Sequence, residues 1–91
     1  MNDERLHLFR RAQTRCQELR LRYAGDPALE SAAKQLTYLI QVEEGLDRDR
    51  SRLAQVNLGL LAGREIADLD DELFELLADV DGHVKRMKSG F

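Results

Sequence analysis

The stretch from Asp49 to Ile66 constrains the fold more than any other part of this chain, because its helix-forming residues carry two apolar stripes. On a 3.6-residue period the two stripes fall on roughly opposite sides of one helix. The first comprises Leu53, Val56, Leu60, Gly63 and Ala67, and the second comprises Leu58, Ala62 and Ile66. A helix with apolar residues on both sides must be covered on both sides. The pattern predicts a small bundle around this helix or a surface kept for a partner.

Length and composition fit a single small domain. The chain has 91 residues, of which 43% are hydrophobic and 34% charged, with one Pro and no Trp. These values predict one globular, helix-rich domain spanning 1–91. The lone Cys16 excludes an internal disulfide, and no apolar run approaches the roughly 18 residues of a membrane span or resembles a signal peptide. We therefore expect a cytoplasmic protein with no membrane association.

Four helices are predicted, joined by short connections. The first runs from Asp3 to Tyr23, and the second begins at Asp26-Pro27, where Asp caps the helix and Pro occupies its first position. The third follows Arg48, and the fourth begins at Leu69 to Glu72 with an acidic first turn. The predicted buried stripes are Phe9, Ala12, Cys16, Leu19 and Tyr23 in the first helix, Leu29, Ala32, Ala33, Leu36, Leu39 and Ile40 in the second, and Leu73, Leu76, Leu77, Val80, Val84 and Met87 in the fourth. The predicted fold class is all-α, a compact bundle of about four helices.

Charge is unevenly distributed along the chain. Residues 1–25 hold six Arg and three acids, whereas residues 65–81 hold eight acids and no Lys or Arg. A basic first helix packed beside an acidic last helix explains this pattern, and so does an acidic surface kept for a partner. We expect no nucleic-acid binding, because the net charge is −3 and the arginines of the first helix lie on several faces.

Catalysis, cofactor binding and metal binding are not predicted. His7 and His83 are far apart in sequence, and paired cysteines, the HExxH spacing, a phosphate-binding loop and a calcium loop are all missing from the sequence. We interpret both histidines as solvated and Cys16 as a buried, inert thiol. Gly59 and Gly63 have the small-xxx-small spacing that lets helices approach closely. Some apolar groups are left over from the predicted core and are interleaved with acids, which indicates protein recognition; they are Tyr38, Val42, Leu58, Ile66 and Phe74.

Five runs between Ser31 and Val80 resemble a known family. They are SAAKQLTYLI from Ser31, DRSRL from Asp49, LGLLA from Leu58, RE from Arg64 and DDEL from Asp70. In order and spacing they resemble the small all-helical immunity proteins of type VI secretion toxins, in particular those that neutralise NAD(P)+ glycohydrolase effectors. The first helix and the tail after Val80 lie outside the match.

The resemblance implies a bacterial protein that binds the toxin domain of its cognate effector and blocks the active site. Our hypothesis for the interface combines apolar anchors with carboxylates; its residues are Tyr38, Val42, Glu65, Asp68, Asp71, Phe74 and Glu75. Lys34, Gln35, Arg50 and Arg64 also fall in the matching runs, and we interpret them as stabilising the bundle. The alternative is a homodimeric adaptor bundle without a toxin partner, in which the second stripe of the third helix is the self-interface. An immunity protein that dimerises when unbound is compatible with both interpretations.

Overall fold

The chain forms an all-helical bundle, as predicted. The computed structural model describes residues 3–90, and no strand occurs in that range. Its elements are α1 (Asp3–Arg22), α2 (Pro27–Glu43), a 3₁₀ helix (Ser51–Gln55), α3 (Leu58–Leu61) continued by a π-helical turn (Ala62–Ile66), and α4 (Asp71–Lys88). Residues 1, 2 and 91 of the predicted domain lie outside the described part.

The connection from α1 to α2 follows the predicted chemistry. Gly25 has φ +83°, a left-handed conformation that suits glycine and ends the first helix. The Asp26 carboxylate then accepts hydrogen bonds from the backbone N–H groups of Ala28 at 2.9 Å and Leu29 at 3.1 Å. Pro27 occupies the first helical position. These local interactions fix where α2 begins.

The three long helices build the core from the predicted stripes. All six predicted positions of α2 and all six of α4 are buried. Phe9, Ala12, Cys16 and Leu19 of α1 are buried as well, but Tyr23, which directly follows the last residue of α1, is 39% exposed. The prediction for Tyr23 was therefore wrong.

The single helix predicted over Asp49 to Ile66 is not formed, and this resolves its two stripes. The chain turns between the 3₁₀ helix and α3, so that Leu53 and Val56 enter the core from one side of the turn and Leu58 and Ile66 enter from the other. Leu60 of the first predicted stripe is 54% exposed. The bundle thus covers the whole second stripe but only Leu53 and Val56 of the first, and Gly63 is exposed like Leu60.

A side-chain clasp holds the chain at this turn. The Gln35 amide on α2 donates from Nε2 to Oδ1 of Asn57 at 2.7 Å and accepts the Asn57 backbone N–H at Oε1 at 2.9 Å. Asn57 has φ −132°, outside the helical range, immediately before α3 begins. The predicted stabilising role of Gln35 therefore has a structural basis.

Gly59 lets α3 approach α4 closely, as its spacing predicts. A Cβ atom at Gly59 would lie 2.5 Å from Cγ of Asp81, which is closer than side-chain carbons come in practice. Gly63 has nothing within 4 Å of the corresponding position, so the second glycine of the predicted pair has no packing role. The close approach therefore depends on Gly59 alone.

The arginines of α1 pair with carboxylates of both neighbouring helices. Arg15 contacts Asp70 at 2.6 Å, at the start of α4, and Arg20 contacts Glu30 of α2 at 2.8 Å. The basic first helix thus lies beside acidic groups of α4, as one of the two charge interpretations predicts, and it also lies beside acidic groups of α2.

Candidate partner-binding surfaces

Four carboxylates near the start of α4 are available to a partner. They belong to Glu65 in the π-helical turn, Asp68 in the connection, and Asp71 and Glu75 in α4, and all four residues are exposed. None of them forms an ion pair with another residue of the range 3–90. With Phe74 we call these residues the acidic stretch. It presents negative charge that the bundle does not neutralise.

Asp70 lies within the same segment but serves the fold. Its carboxylate accepts two hydrogen bonds from Arg15, from Nε at 3.0 Å and from Nη2 at 2.6 Å, and a third from the backbone N–H of Leu73 at 2.8 Å. Hydrogen bonding to Arg15 is the main reason why the pKa of Asp70 is lowered. Asp70 is therefore the cap of α4 and the anchor of α1.

The predicted apolar contacts differ in how much surface they present. Phe74 and Val42 are half-buried and pack against the core, so each leaves part of its side chain at the surface. Leu58 and Ile66 are fully buried, and Tyr38 is only 4% exposed. Their assignment to a surface outside the core was wrong, because the turn before α3 directs Leu58 and Ile66 inwards.

Tyr38 is held in the bundle by a contact on one face of its ring and by a hydrogen bond from its hydroxyl. The hydroxyl donates to the backbone carbonyl oxygen of Asp49 at 2.8 Å, and the Arg52 guanidinium lies over the ring, 4.6 Å from its centroid. Burial is the main reason why the pKa of the phenol is raised. Tyr38 therefore supports the surface above it and presents little of its own side chain to a partner.

Two grooves lie beside Tyr38 and share part of their lining. One groove of about 380 Å³ runs between α1 and α2, and a second of about 130 Å³ runs between α2 and the 3₁₀ helix. Lys34, Tyr38 and Arg52 line both. We call the two together the Tyr38 groove.

Two leucines that were not predicted as surface residues are strongly exposed. Leu21 is 88% exposed at the end of α1, and Leu46 is 77% exposed after α2. Their position outside the buried stripes of the two helices was the available signal. Leu60 was predicted to lie on an apolar stripe of the third helix, but it is 54% exposed because that single helix is not formed.

His83 is half-buried, so its interpretation as a solvated residue was wrong. Its Nδ1 lies 3.4 Å from Nε of Arg5 and 3.1 Å from Nη2 of Arg86. The His83 and Phe9 rings are arranged edge to face, with their centroids 6.4 Å apart. Burial is the main reason why the pKa of His83 is lowered, and the positive charges of Arg86 and Arg5 lower it further. These neighbours make His83 part of the contact between α1 and α4.

Cys16 is buried, as predicted, and its thiol donates to the carbonyl oxygen of Leu29 at 3.3 Å. Burial raises its pKa to about 11, so the reactive thiolate is scarce near neutral pH.

No group of three or more metal-binding side chains occurs within the described residues. No helix in this same range is long and apolar enough to cross a membrane.

Comparisons with known proteins agree with this architecture. The model of the Tsi6 family matches residues 4–86. A chain from the structure of Tse6 in complex with Tsi6 shares 35% identity, with a TM-score of 0.86 over 96% of this chain and 93% of that one. The structure of Tsi6 from Pseudomonas aeruginosa shares 37% identity, with a TM-score of 0.77 over 84% of this chain and 79% of that one. No curated protein sequence gives a match.

The family match extends beyond the runs on which the resemblance to immunity proteins of type VI secretion toxins rested. Those runs cover about Ser31 to Val80. The family model also includes nearly all of α1 and continues along α4 as far as Arg86. The resemblance is confirmed: this chain belongs to the Tsi6 family.

Proposed function

We propose that this chain is an immunity protein that binds the toxin domain of a cognate type VI effector and blocks its active site. The observation that carries the proposal is the TM-score of 0.86, over 96% of the chain, to a chain from the structure of Tse6 in complex with Tsi6. A similar backbone alone would not imply the same partner, but here it is accompanied by 35% sequence identity and by the family match over residues 4–86, which support the same kind of partner.

The proposal extends to the reaction that the toxin catalyses. We propose an NAD(P)+ glycohydrolase toxin, on the strength of the resemblance carried by the runs between Ser31 and Val80. A cleft that accepts a dinucleotide must hold its diphosphate, and such sites use Arg, Lys or backbone N–H groups. The unpaired carboxylates of the acidic stretch are suited to occupy such a cleft in place of the substrate.

The proposed interface follows from which predicted residues are accessible. Glu65, Asp68, Asp71 and Glu75 supply exposed charge, whereas Phe74 and Val42 supply partly exposed apolar surface. Tyr38 keeps an indirect role, because it is 4% exposed and stacks under Arg52. Inhibition by occlusion requires complementary shape and charge and no catalytic group on this chain.

Electrostatic attraction suits the proposed task. A toxin must be captured before it acts, and complementary charge raises association rates by orders of magnitude at low ionic strength. The protein acts in the compartment where the toxin is active, which we propose to be the bacterial cytoplasm because NAD(P)+ is found there.

The structure weakens the case for an adaptor bundle that acts as a homodimer. That alternative rested on a second apolar stripe left open on the third helix. The stripe residues Leu58, Ala62 and Ile66 are all buried inside one chain. Dimerisation of the unbound protein stays a prediction, but it no longer has this surface to support it.

Inhibition in a purified system tests the proposal. The cognate toxin domain is mixed with increasing amounts of this chain, while NAD+ and NADP+ hydrolysis and complex formation on a sizing column are followed together. We expect a stable complex and loss of hydrolysis near equimolar ratio. A toxin that remains fully active inside a stable complex contradicts active-site occlusion, and the absence of any complex contradicts the immunity function.

A further inference from the structure

The Tyr38 groove carries two cations, Lys34 and Arg52, that form no ion pair with a carboxylate of the described residues, although, after the hydrogen bonds from Ser51, the charge of Arg52 helps to lower the pKa of the nearby Asp49. Its lining includes three basic residues, Arg20, Lys34 and Arg52, and one acidic residue, Glu30. Glu30 already accepts two hydrogen bonds from Arg20, at 3.1 and 2.8 Å. Lys34 and Arg52 therefore remain as two cations beside one groove, in a chain whose net charge is −3.

Neither cation is used to hold the described part of the chain together by ion pairing. Lys34 is exposed and forms no hydrogen bond or ion pair within residues 3–90. Arg52 is exposed and stacks on Tyr38. The nearby carboxylate of Asp49 accepts hydrogen bonds from the Ser51 hydroxyl and backbone N–H, at 2.6 and 3.0 Å, and forms no ion pair with Arg52. The stabilising role predicted for Lys34 is thus without a visible contact.

Stacking prepares the Arg52 guanidinium for a ligand. The ring of Tyr38 is fixed by burial and by its hydrogen bond to the Asp49 carbonyl, so it offers Arg52 a rigid platform. A planar guanidinium held by its face keeps its N–H edge free for the two oxygens of a carboxylate. Holding the side chain in place beforehand reduces the entropy lost on binding.

We infer that the Tyr38 groove is a second contact site for the toxin domain, where Lys34 and Arg52 clasp an Asp or Glu side chain of the toxin. The inference rests on the proposed function and adds a contact of opposite charge to the acidic stretch. The side-chain amides of Gln17, Gln41 and Gln55 line the same groove and form no hydrogen bond with other described residues, so they are free to meet the backbone around that acidic side chain. A protein segment suits the groove better than a nucleic acid, because the chain as a whole is acidic.

Charge reversal with a matched control tests the second contact. Binding of the toxin domain is measured by calorimetry for the wild-type chain, Lys34→Glu, Arg52→Glu and Arg48→Glu. Arg48 is exposed, lies four residues before Arg52 and lines neither part of the groove. We expect Kd to rise about 10- to 100-fold for the two groove variants and less than threefold for the control. Circular dichroism and thermal melts establish that all variants are folded.

A charge swap identifies the partner group. Arg52→Glu is combined in turn with Lys replacements of Asp and Glu residues on the toxin surface, and one such pair should recover at least tenfold of the lost affinity. Wild-type affinity in Lys34→Glu and Arg52→Glu overturns the inference and leaves the immunity function intact, whereas a wild-type chain that does not bind the toxin removes both. Loss of self-association or of duplex DNA binding in these variants, without loss of toxin affinity, also overturns the inference.

Discussion

Gln35 and Asn57 are joined by two hydrogen bonds that fix the direction of the chain between the 3₁₀ helix and α3. One bond reaches the Asn57 side chain and the other its backbone N–H. The clasp places Leu58 at the start of α3 where it is fully buried. A polar pair at the surface thus determines how an apolar segment enters the core.

Replacing Gln35 by Ala should destabilise the protein. Both hydrogen bonds to Asn57 are lost, together with a local one from Nε2 to the Ser31 hydroxyl at 3.1 Å. The two bonds to Asn57 are exposed and worth at most about 1 kcal/mol each, so the free energy of unfolding should fall by about 1–2 kcal/mol. For a domain of this size that corresponds to roughly 4–16 °C in Tm. Thermal and urea melts measure the change, with Gln55→Ala as the control, since the exposed Gln55 side chain forms no hydrogen bond with other described residues. Equal stability of the two variants contradicts the importance of the clasp.

Replacing Tyr38 by Phe separates a structural role from direct contact. The variant loses the 2.8 Å hydrogen bond to the Asp49 carbonyl but keeps the ring under Arg52. We expect a loss of about 1 kcal/mol in the free energy of unfolding and unchanged affinity for the toxin domain. Denaturant melts and calorimetry on the same samples measure the two quantities. Unchanged stability with weakened binding instead makes Tyr38 a direct contact.

Asp70 should make the stability depend on pH in the acid range. Its pKa in the folded state lies below the ordinary value of 3.8, chiefly because of Arg15. As pH falls, the unfolded chain takes up the proton first, so the stabilisation is complete above about pH 4–5 and is lost as pH falls through the folded-state pKa. Asp70→Asn keeps the helix cap and removes the charge. It should be less stable than wild type at pH 7 and about equally stable near pH 2.

Asp70→Ala provides the comparison, because it removes the cap as well and should cost a further ~1 kcal/mol at every pH. Urea melts from pH 2 to pH 7 measure both variants. A constant difference between wild type and Asp70→Asn across this range contradicts the assigned role of the carboxylate.

Charge reversal in the acidic stretch should slow capture of the toxin. Asp71 and Glu75 are exposed and form no ion pair with the described residues, so changing both to Lys removes no contact that holds the bundle together. Asp71 lies in the first turn of α4, where negative charge is favourable, so a thermal melt of the variant establishes that it is folded. We expect the association rate constant to fall by about tenfold or more at low salt, with a smaller effect at high salt. Stopped-flow mixing measures it, and Glu18→Lys on α1 reports any unspecific effect of charge. Unchanged kinetics excludes electrostatic capture by this stretch.

The long helices and their buried faces were predictable from the sequence, because helix caps and apolar stripes are determined by residues that lie close together in the chain. Asp26 and Pro27 set the start of α2, and the stripe of α4 is buried at every predicted position. The break before α3 was not predictable, since Asn57 is held by Gln35, 22 residues earlier in the chain. Hydrophobic periodicity depends only on residues that are close in sequence, whereas this turn depends on Gln35, which is distant in sequence.

The candidate surfaces were predictable only in part, for a related reason. Exposed carboxylates such as Asp71 and Glu75 follow from their places on α4, away from its stripe. The burial of Tyr38 follows instead from packing by the segment around Asp49 and Arg52, whose path depends on the break. The groove cations Lys34 and Arg52 are 18 positions apart, and only the fold brings them to one place.

Co-expression in a bacterium tests the central claim most directly. The toxin domain encoded beside this chain is expressed with and without it, and survival is followed together with cellular NAD+ and NADP+. The account predicts that the chain restores growth and preserves both dinucleotide pools. Cells that die with depleted pools while both proteins are present in folded form would contradict it.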